Sequence, residues 1–370
     1  MHAMSRASLW LLRAYDTLDT NQFSHNRTTF MGLFKLRQEL AVDLGTANTI
    51  IMKDGKIVFD EPSVIAFDRR NDEVIAVGLK AREIYEKGHE DIRSVRPLRD
   101  GVIADFDAAE KMIRGMVKQI NKKSHSLFSP SLRMVVSVPS GSTEVEIRAV
   151  KDSSEHAGGR DVYMLYESMA AAIGIGIDVL APEGNMVVDI GGGTTEIAVI
   201  SLGGISSKQS IRVAGDEFTH DIMEYMRQKH NVRVGERTAE QIKIRVGSAL
   251  AELDNAPEDF VVTSADLMDS LPRQISVSYQ EIAQCLDKSI VKIESAILKT
   301  LESTPPELYS DVTQNGISLT GGGALLRGLA ERLTRRFAIQ FNVPEDPLRA
   351  VAMGTDKALK NVDSYNFLIH

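Results

Sequence analysis

Two short segments of this chain share a pattern suited to binding the phosphates of a nucleotide. The first is Asp43-Leu44-Gly45-Thr46-Ala47-Asn48-Thr49, and the second is Asp189-Ile190-Gly191-Gly192-Gly193-Thr194-Thr195-Glu196. Each follows a short apolar run and leads into another, which predicts a strand, a tight glycine turn and a second strand. Glycines let such a turn point its N–H groups at an anion with no Cβ in the way.

The aspartates that open the two segments suit a different task. A carboxylate at the end of a strand repels a triphosphate, so we expect Asp43 and Asp189 to hold a hydrated Mg²⁺ through water while the phosphates bind the same ion. Either turn alone is typical of many hairpins that bind nothing. Because the pattern occurs twice, it indicates an internal duplication and two similar domains that close on one cleft.

A third glycine cluster, Gly321-Gly322-Gly323, follows the apolar strand predicted over residues 317–320. A helix predicted over Leu325–Phe337 would then present its N–H groups and positive dipole end to a third anion or nucleotide contact. A triple glycine is equally consistent with a flexible turn.

The rest of the chain alternates strand and helix patterns, which is typical of an α/β protein. Thr143 and Glu146 form a capping box, and the alanines and glycine after Glu167 predict a helix that approaches another backbone closely. The helices are predicted at Lys80–Lys87, Asp105–Asn121, Thr143–His156, Glu167–Gly174, Asp216–Lys229, Ala239–Leu253 and Tyr279–Leu301.

The composition is that of an ordinary globular protein, with 43% hydrophobic and 25% charged residues. A length of 370 residues allows two or more domains. The net charge of -8 and the dispersed basic residues argue against nucleic acid as a partner. With a single cysteine, Cys285, no internal disulfide can form, so we expect a reducing cytosol. No apolar stretch approaches the roughly 20 residues that span a bilayer.

Membrane contact is therefore expected only at the periphery. Leu127-Phe128 forms an apolar pair inside a polar loop and is the first candidate, although it could instead pack on a neighbouring subdomain. Residues 31–36 are the second candidate. The apolar run over residues 9–12 is shorter than a signal-peptide core of about 7 to 15 residues. We expect residues 1–30 to be either a disordered extension or the product of a start assigned too far upstream, with Met31 as the functional start.

Four segments together resemble the MreB family of bacterial actin homologues, within the superfamily of actin, DnaK chaperones and sugar kinases. They are Asp43–Thr49, Arg96–Phe106, Met169–Gly174 and Met186–Glu196. The resemblance extends from about Leu33 to Leu359. It implies an α/β, actin-like fold in which two duplicated ribonuclease-H-like domains, with small inserted subdomains, surround a nucleotide cleft. The implied subdomains are IA (31–60, 101–166 and 341–370), IB (61–100), IIA (167–208 and 270–340) and IIB (209–269).

The same resemblance implies ATP and Mg²⁺ as cofactors and a weak ATPase activity coupled to filament assembly. Such filaments are homopolymers on the inner face of the cytoplasmic membrane that organise peptidoglycan synthesis and rod shape. The family inserts a loop into lipid at the place of Leu127 and Phe128. It also implies membrane partners such as RodZ, MreC and MreD.

Site residues can be carried over by motif. The residues expected at the nucleotide are Gly45, Thr46, Ala47, Asn48 and Thr49, then Gly191, Gly192, Gly193 and Thr194, then Glu240, Gln241, Ile242 and Lys243, and finally Gly322, Gly323, Ala324 and Leu325. Glu240 and Lys243 would share one face of a helix capped by Thr238. A carboxylate beside a cation there suits ribose hydroxyls, although the two residues could form an ordinary surface ion pair.

For hydrolysis, Glu167 and Thr194 match the residues that orient the attacking water in the family. Ser168 departs from the family pattern, which has proline after this glutamate, and so leaves the hydrolysis rate open. Glu167 could instead merely cap the helix that follows it. Two alternative functions also stay open: a small-molecule kinase of the same superfamily, and a scaffold that binds nucleotide without hydrolysing it.

Overall fold

The computed structural model describes residues 37–88, 90–122 and 131–370. The predictions for residues 1–30, for residues 31–36 and for Leu127-Phe128 lie outside these ranges. The described strands are β1 (Arg37–Leu44), β2 (Asn48–Lys53), β3 (Lys56–Pro62), β4 (Ile65–Asp68), β5 (Val74–Val77), β6 (Ile92–Val95), β7 (Leu98–Arg99), β8 (Val102–Ile103), β9 (Ser131–Val138), β10 (Gly159–Tyr166), β11 (Asn185–Ile190), β12 (Thr195–Ser201), β13 (Gly204–Ile211), β14 (Phe260–Ala265), β15 (Pro272–Val277), β16 (Ile317–Thr320) and β17 (Phe341–Asn342).

The helices alternate with these strands along the chain, as the sequence predicts for an α/β protein. They are α1 (Leu79–Lys87), α2 (Phe106–Lys122), α3 (Glu144–His156), α4 (Glu167–Gly174), α5 (Gly215–His230), α6 (Glu236–Val246), α7 (Tyr279–Glu302), α8 (Pro306–Asn315), α9 (Leu329–Phe337) and α10 (Ala350–Lys360). The capping box at Thr143 and Glu146 forms as predicted and opens α3. No helix in the described ranges combines the length and apolar character needed to cross a membrane.

Two five-stranded sheets have the same strand order. The first runs β3-β2-β1-β9-β10, and the second runs β13-β12-β11-β16-β17. In each sheet the three strands that come first in the chain pair antiparallel, and the last two pair parallel. The two segments with the predicted phosphate turns, residues 43–49 and 189–196, form the first and second phosphate hairpins. The first joins β1 to β2, and the second joins β11 to β12, so both occupy the same place in the fold. The duplication predicted from the two motifs is confirmed.

Two smaller groups of elements interrupt this duplicated framework. One lies between β3 and β9 and contains a three-stranded sheet, β5-β4-β6, with α1 packed beside it. The other follows β13 and contains α5, α6 and the β14–β15 hairpin. They correspond to the insertions predicted at residues 61–100 and 209–269. The subdomain boundaries themselves stay a prediction.

Helices α4 and α10 pack closely against each other. A Cβ added to Gly354 would lie 1.7 Å from the carbonyl oxygen of Ala170, and one added to Gly174 would lie 1.8 Å from that of Ala350. Only glycine allows this backbone approach. The close helix contact predicted from the small residues after Glu167 is therefore confirmed.

Two predicted helix boundaries were wrong. Helix α6 covers Glu236–Val246 instead of Ala239–Leu253, and Gly235 precedes it, so Thr238 lies inside the helix and does not cap it. The chain leaves the helix at Gly247, whose backbone is extended.

After the third glycine cluster, the predicted helix Leu325–Phe337 is replaced by two shorter elements. One 3₁₀ turn covers Gly322–Leu325, and α9 begins only at Leu329. Gly328 separates the two with a left-handed φ of 73°, so the helix dipole does not begin at the glycines.

Candidate functional site

The two hairpin turns meet directly. A Cβ on Gly192 would lie 2.7 Å from the Cβ of Ala47, and one on Gly193 would lie 2.7 Å from Thr46 Oγ1. Any larger residue at either position would push the turns apart. The glycines of the second turn therefore serve the contact between the two halves as well as access for an anion.

Ser63 braces the first turn. Its hydroxyl donates to the carbonyl of Gly45 at 2.6 Å and shares a 2.8 Å hydrogen bond with the Thr49 hydroxyl, while its N–H donates to the Ala47 carbonyl at 3.0 Å. Thr49 is fully buried and its hydroxyl is used in this contact. The predicted site residue Thr49 thus supports the turn from behind.

Each hairpin aspartate receives a hydrogen bond from the neighbouring strand. Ser137 on β9 donates to Asp43 Oδ1 at 3.0 Å, and Thr320 on β16 donates to Asp189 Oδ1 at 2.7 Å. Burial raises the pKa of Asp43 to about 7 and that of Asp189 to about 6, and these hydroxyl donors only partly oppose it. Each aspartate is thus a buried acid whose ionised form a bound cation would stabilise.

A further acid, Glu167, lines the same region at the start of α4. Burial raises its pKa well above the usual range, and the negative charges of Glu196, Asp43 and Asp189 add to the effect. The Ser168 hydroxyl is buried without a hydrogen-bond partner in the described part of the chain.

Within the described part of the chain, no three acidic, histidine or cysteine side chains converge closely enough to enclose a metal ion. The donor set therefore fits a hydrated Mg²⁺ held partly by other ligands, and not a metal site built from protein alone.

Glu196 is the acid next to Glu167 that the sequence reading left without a role. It is completely buried, and Ser140 donates to Oε2 from its N–H at 2.9 Å and from its hydroxyl. Ser210 donates to Oε1 at 2.5 Å. Ser140 follows β9 of the first sheet, so these bonds join the two halves of the fold behind the second hairpin.

Glu240 and Lys243 form the predicted pair on one face of α6, with Lys243 Nζ 2.7 Å from Glu240 Oε2. Lys243 also donates to the Gly215 carbonyl at 2.8 Å, and the Thr219 hydroxyl donates to Glu240 at 2.8 Å. The pair is therefore fixed against the first turns of α5, and it is not an isolated surface ion pair. A carboxylate held in this way can accept hydrogen bonds from ligand hydroxyls.

The third glycine cluster packs against the second hairpin. A Cβ on Gly321 would lie 2.3 Å from the Ile190 carbonyl oxygen, and one on Gly323 would lie 2.2 Å from Ile190 Cγ2. Gly322 and Leu325 also face the cleft, whereas Ala324 is buried beneath them. The third glycine motif thus borders the same site as the first two.

Together these segments surround a cleft of about 1190 Å³. The predicted site residues that line it are Asp43, Gly45, Thr46, Ala47, Asn48, Glu167, Asp189, Gly191, Gly192, Gly193, Thr194, Glu240, Lys243, Gly322, Gly323 and Leu325. Four others do not line it. Thr49, Ile242 and Ala324 are buried in the core, and Gln241 is exposed elsewhere on α6.

Several lining residues were missed by the sequence reading. They include Arg96, Gly215, Asp216, Glu236, Arg327, Asp346 and Arg349. Gly215 and Asp216 carried a signal, since a glycine follows an apolar run there and then opens a helix. Arg96 lies in one of the four segments that resemble the family, but no role was assigned to it from sequence. Glu236, Arg327, Asp346 and Arg349 carried no signal, because dispersed arginines and acids are typical of any solvated surface.

Comparisons with known proteins agree with this architecture. The sequence profile of the MreB/Mbl protein family matches residues 37–366. The chain is 43% identical to the cell shape-determining protein Mbl of Bacillus subtilis over 327 residues, which is 88% of this chain and 97% of that protein. It is 44% identical to the cell shape-determining protein MreB of Escherichia coli over 341 residues, which is 91% of this chain and 96% of that one.

A solved relative has the same fold. The crystal structure of MreB 5 of Spiroplasma citri bound to AMPPNP superposes with a TM-score of 0.82 at 36% identity, covering 88% of this chain and 97% of the other. The fold is therefore actin-like, as the motifs imply. The family profile matches nearly the whole described chain, the two glycine hairpins are paired, and the fold is shared with a solved relative. The chain therefore belongs to the MreB/Mbl family.

Proposed function

We propose that this chain is an actin-like cytoskeletal protein that binds ATP in the cleft and helps to determine cell shape. The observation that carries the proposal is the direct contact between the two phosphate hairpins, Gly192 and Gly193 against Ala47 and Thr46. Two glycine turns in contact would let both sets of backbone N–H groups bind one anionic group. AMPPNP in the Spiroplasma relative supports an adenine nucleotide as that ligand.

Asp43 and Asp189 are the residues that would hold Mg²⁺, through its water ligands. The ion would neutralise the phosphates and the charge that hydrolysis develops on them. The hydroxyls of Ser137 and Thr320 fix the carboxylates from behind, as partners of metal-binding groups commonly do. Glu240, with Lys243 beside it, would accept hydrogen bonds from the ribose hydroxyls at the other end of the nucleotide.

For hydrolysis, Glu167 and Thr194 would orient the attacking water. Glu167 lies at the first position of α4 and lines the cleft, and Thr194 closes the second hairpin. Positioning of this kind is most of what phosphoryl transfer asks of a protein. Ser168, beside Glu167, would affect the rate of hydrolysis. Its buried hydroxyl has no hydrogen-bond partner in the described structure, so it holds this turn less firmly than a proline would.

The assembly proposed here is a homopolymer on the inner surface of the cytoplasmic membrane. Family membership supports a role in cell shape, which the names of the Bacillus and Escherichia relatives state for those proteins. Leu127 and Phe128, which lie outside the described residues, remain the proposed membrane contact. RodZ, MreC and MreD remain proposed partners, and peptidoglycan synthesis remains the proposed process.

A small-molecule kinase of the same superfamily is the alternative function. Such an enzyme needs a base directed at an acceptor hydroxyl in a pocket of its own. Asp43 and Asp189 instead open the two glycine turns, and their negative charges act on Glu167, so these three acids lie near the turns. The family match also favours the cytoskeletal function.

Electron microscopy on lipid monolayers tests the proposal. Protein beginning at Met31 would be incubated with Mg-ATP, with Mg-ADP and without nucleotide, in parallel with lipid-free grids. We expect filaments on lipid with ATP. If the chain bound ATP but formed no polymer over a range of salt and lipid conditions, the cytoskeletal function would be contradicted. A screen for phosphate acceptors would then test the kinase alternative.

A further inference from the structure

Charged residues from the two inserted groups of elements meet across the mouth of the cleft. Arg96, which follows β6, places Nη2 3.4 Å from Asp216 Oδ2 and bonds Glu236 Oε1 through Nη1. Glu86 on α1 lies 3.1 Å from Arg237 Nη1. All five residues line the cleft. These pairs join parts of the chain that are more than 100 residues apart in sequence.

The backbone after Arg96 is anchored to the first half of the fold. The Pro97 carbonyl accepts hydrogen bonds from the N–H groups of Ala104 at 2.8 Å and Asp105 at 3.2 Å. Within the same loop, the Gly101 N–H donates to Thr46 Oγ1 of the first phosphate turn at 3.0 Å. The Arg96 side chain therefore extends from a loop that is itself bonded to that turn.

The two carboxylates that Arg96 reaches belong to the helices on the opposite wall. Asp216 lies in the first turn of α5, and its N–H donates to the Gly192 carbonyl of the second phosphate turn at 2.8 Å. Glu236 opens α6, the helix that carries Glu240 and Lys243. One guanidinium thus connects the first phosphate loop to both helices that hold the far side of the cleft.

The planar guanidinium suits this task. Its fork of N–H donors can bond two carboxylates at once, which a lysine ammonium does with less directional preference. Burial raises the pKa of Asp216, and the nearby Arg96 charge opposes the rise, so removing Arg96 would leave this carboxylate poorly solvated and unpaired. The pairs are also partly exposed, with Arg96 21% and Glu236 47% accessible, so salt can weaken them.

We propose that Arg96 is a positioning residue that holds the cleft closed over its nucleotide. The ion pair between Glu86 and Arg237 acts in the same way. The inference rests on the proposed nucleotide binding and adds a barrier to nucleotide release. A nucleotide held between the phosphate turns and α6 can leave only when the two walls separate, and separation breaks these ion pairs. The release rate then depends on how strongly Arg96 holds its two carboxylates.

Dissociation of a fluorescent ADP analogue tests this proposal. The full chain, kept below the concentration at which it assembles, would be loaded with the analogue and chased with unlabelled ATP in a stopped-flow instrument. We expect Arg96→Ala to speed release roughly tenfold at low salt, and Arg96→Lys to speed it less because one charge remains. Glu236→Gln should speed release roughly threefold. Arg70→Ala is the matched control, since Arg70 pairs with Asp68 within its own insertion.

The salt dependence of nucleotide release distinguishes the proposed role of the Arg96 ion pairs from a general structural role of Arg96. Raising the salt from about 50 to about 500 mM should speed release from the wild-type chain and speed release from Arg96→Ala less, because in that variant only the Glu86–Arg237 pair is left for salt to screen. Release rates within twofold of wild type for both Arg96→Ala and Glu236→Gln would overturn the proposal. A faster release that keeps the wild-type salt dependence would also overturn it. If the wild-type chain bound no nucleotide, this result would contradict the proposed function, and the proposal for Arg96 would fall with it.

Discussion

Thr320 donates a 2.7 Å hydrogen bond to Asp189 from the strand directly beside it, where the two residues are register partners. Ser137 makes the matching bond to Asp43 in the first sheet. A hydroxyl near the end of a neighbouring strand thus orients the hairpin aspartate in both halves of the fold. Partners of this kind limit a carboxylate to one orientation before any ion arrives.

Asp189→Ala is expected to weaken binding of Mg-ATP by roughly 10- to 100-fold, because the aspartate would hold the hydrated ion. Thr320→Val removes only the orienting hydroxyl and should give a smaller loss. Isothermal titration calorimetry with and without Mg²⁺ measures both effects. Asp152→Ala, at a half-buried position of α3 that does not line the cleft, is the control. Unchanged Mg-ATP affinity in Asp189→Ala would contradict the assignment.

The raised pKa values of Asp43, about 7, and Asp189, about 6, predict how stability depends on pH. Between the ordinary value of 3.8 and about 7, the folded chain without ligand binds protons that the unfolded chain has released. The contribution of these groups to stability therefore falls as the pH rises through this range. Asp43→Asn removes one such group, so it should gain stability relative to wild type between pH 5 and pH 8.

Thermal unfolding at several pH values checks this expectation. Added Mg-ATP should reverse the trend, since the ion favours the ionised carboxylates, and its stabilising effect on the wild type should grow with pH. A constant difference between Asp43→Asn and wild type across the range would show that Asp43 titrates normally.

Glu167→Ala is expected to lower the rate of phosphate release from ATP by roughly tenfold or more, through loss of a group that orients the water. Nucleotide affinity should change little, because the phosphate turns remain intact. Single-turnover phosphate release measures the rate, and Glu167→Gln tests whether the negative charge is needed. An unchanged rate would favour the scaffold that binds nucleotide without hydrolysing it.

Gly354→Ala is expected to lower the free energy of unfolding by about 3 kcal/mol, because its Cβ would overlap the Ala170 carbonyl of α4. Gly204→Ala is the matched control. The nearest atom to its Cβ would be the Ser201 carbonyl at 3.7 Å, so a change within about 0.5 kcal/mol is expected. Urea unfolding of both variants measures the difference. Equal losses would mean that α4 and α10 can move apart.

Local signals predicted the elements and the glycine turns well. The capping box at Thr143, the helix of small residues after Glu167 and both phosphate hairpins depend on neighbours within a few positions, and such preferences are visible in sequence. Helix ends were predicted less well. Helix α6 ends at Val246, and Gly247 is the one nearby residue whose type signals this end.

The sequence by itself determined the duplicated strand–turn–strand units, the glycines at their turns and the acids that precede them. Tertiary structure alone decided that Gly192 contacts Ala47, that Thr49 and Ile242 are buried, and that Arg96 bonds Asp216 and Glu236. Turn chemistry and periodicity act over a few residues, so the chain encodes them locally. Contacts between residues far apart in sequence depend on how the two sheets and their insertions pack, and no short pattern specifies which charged side chain will meet another across the cleft.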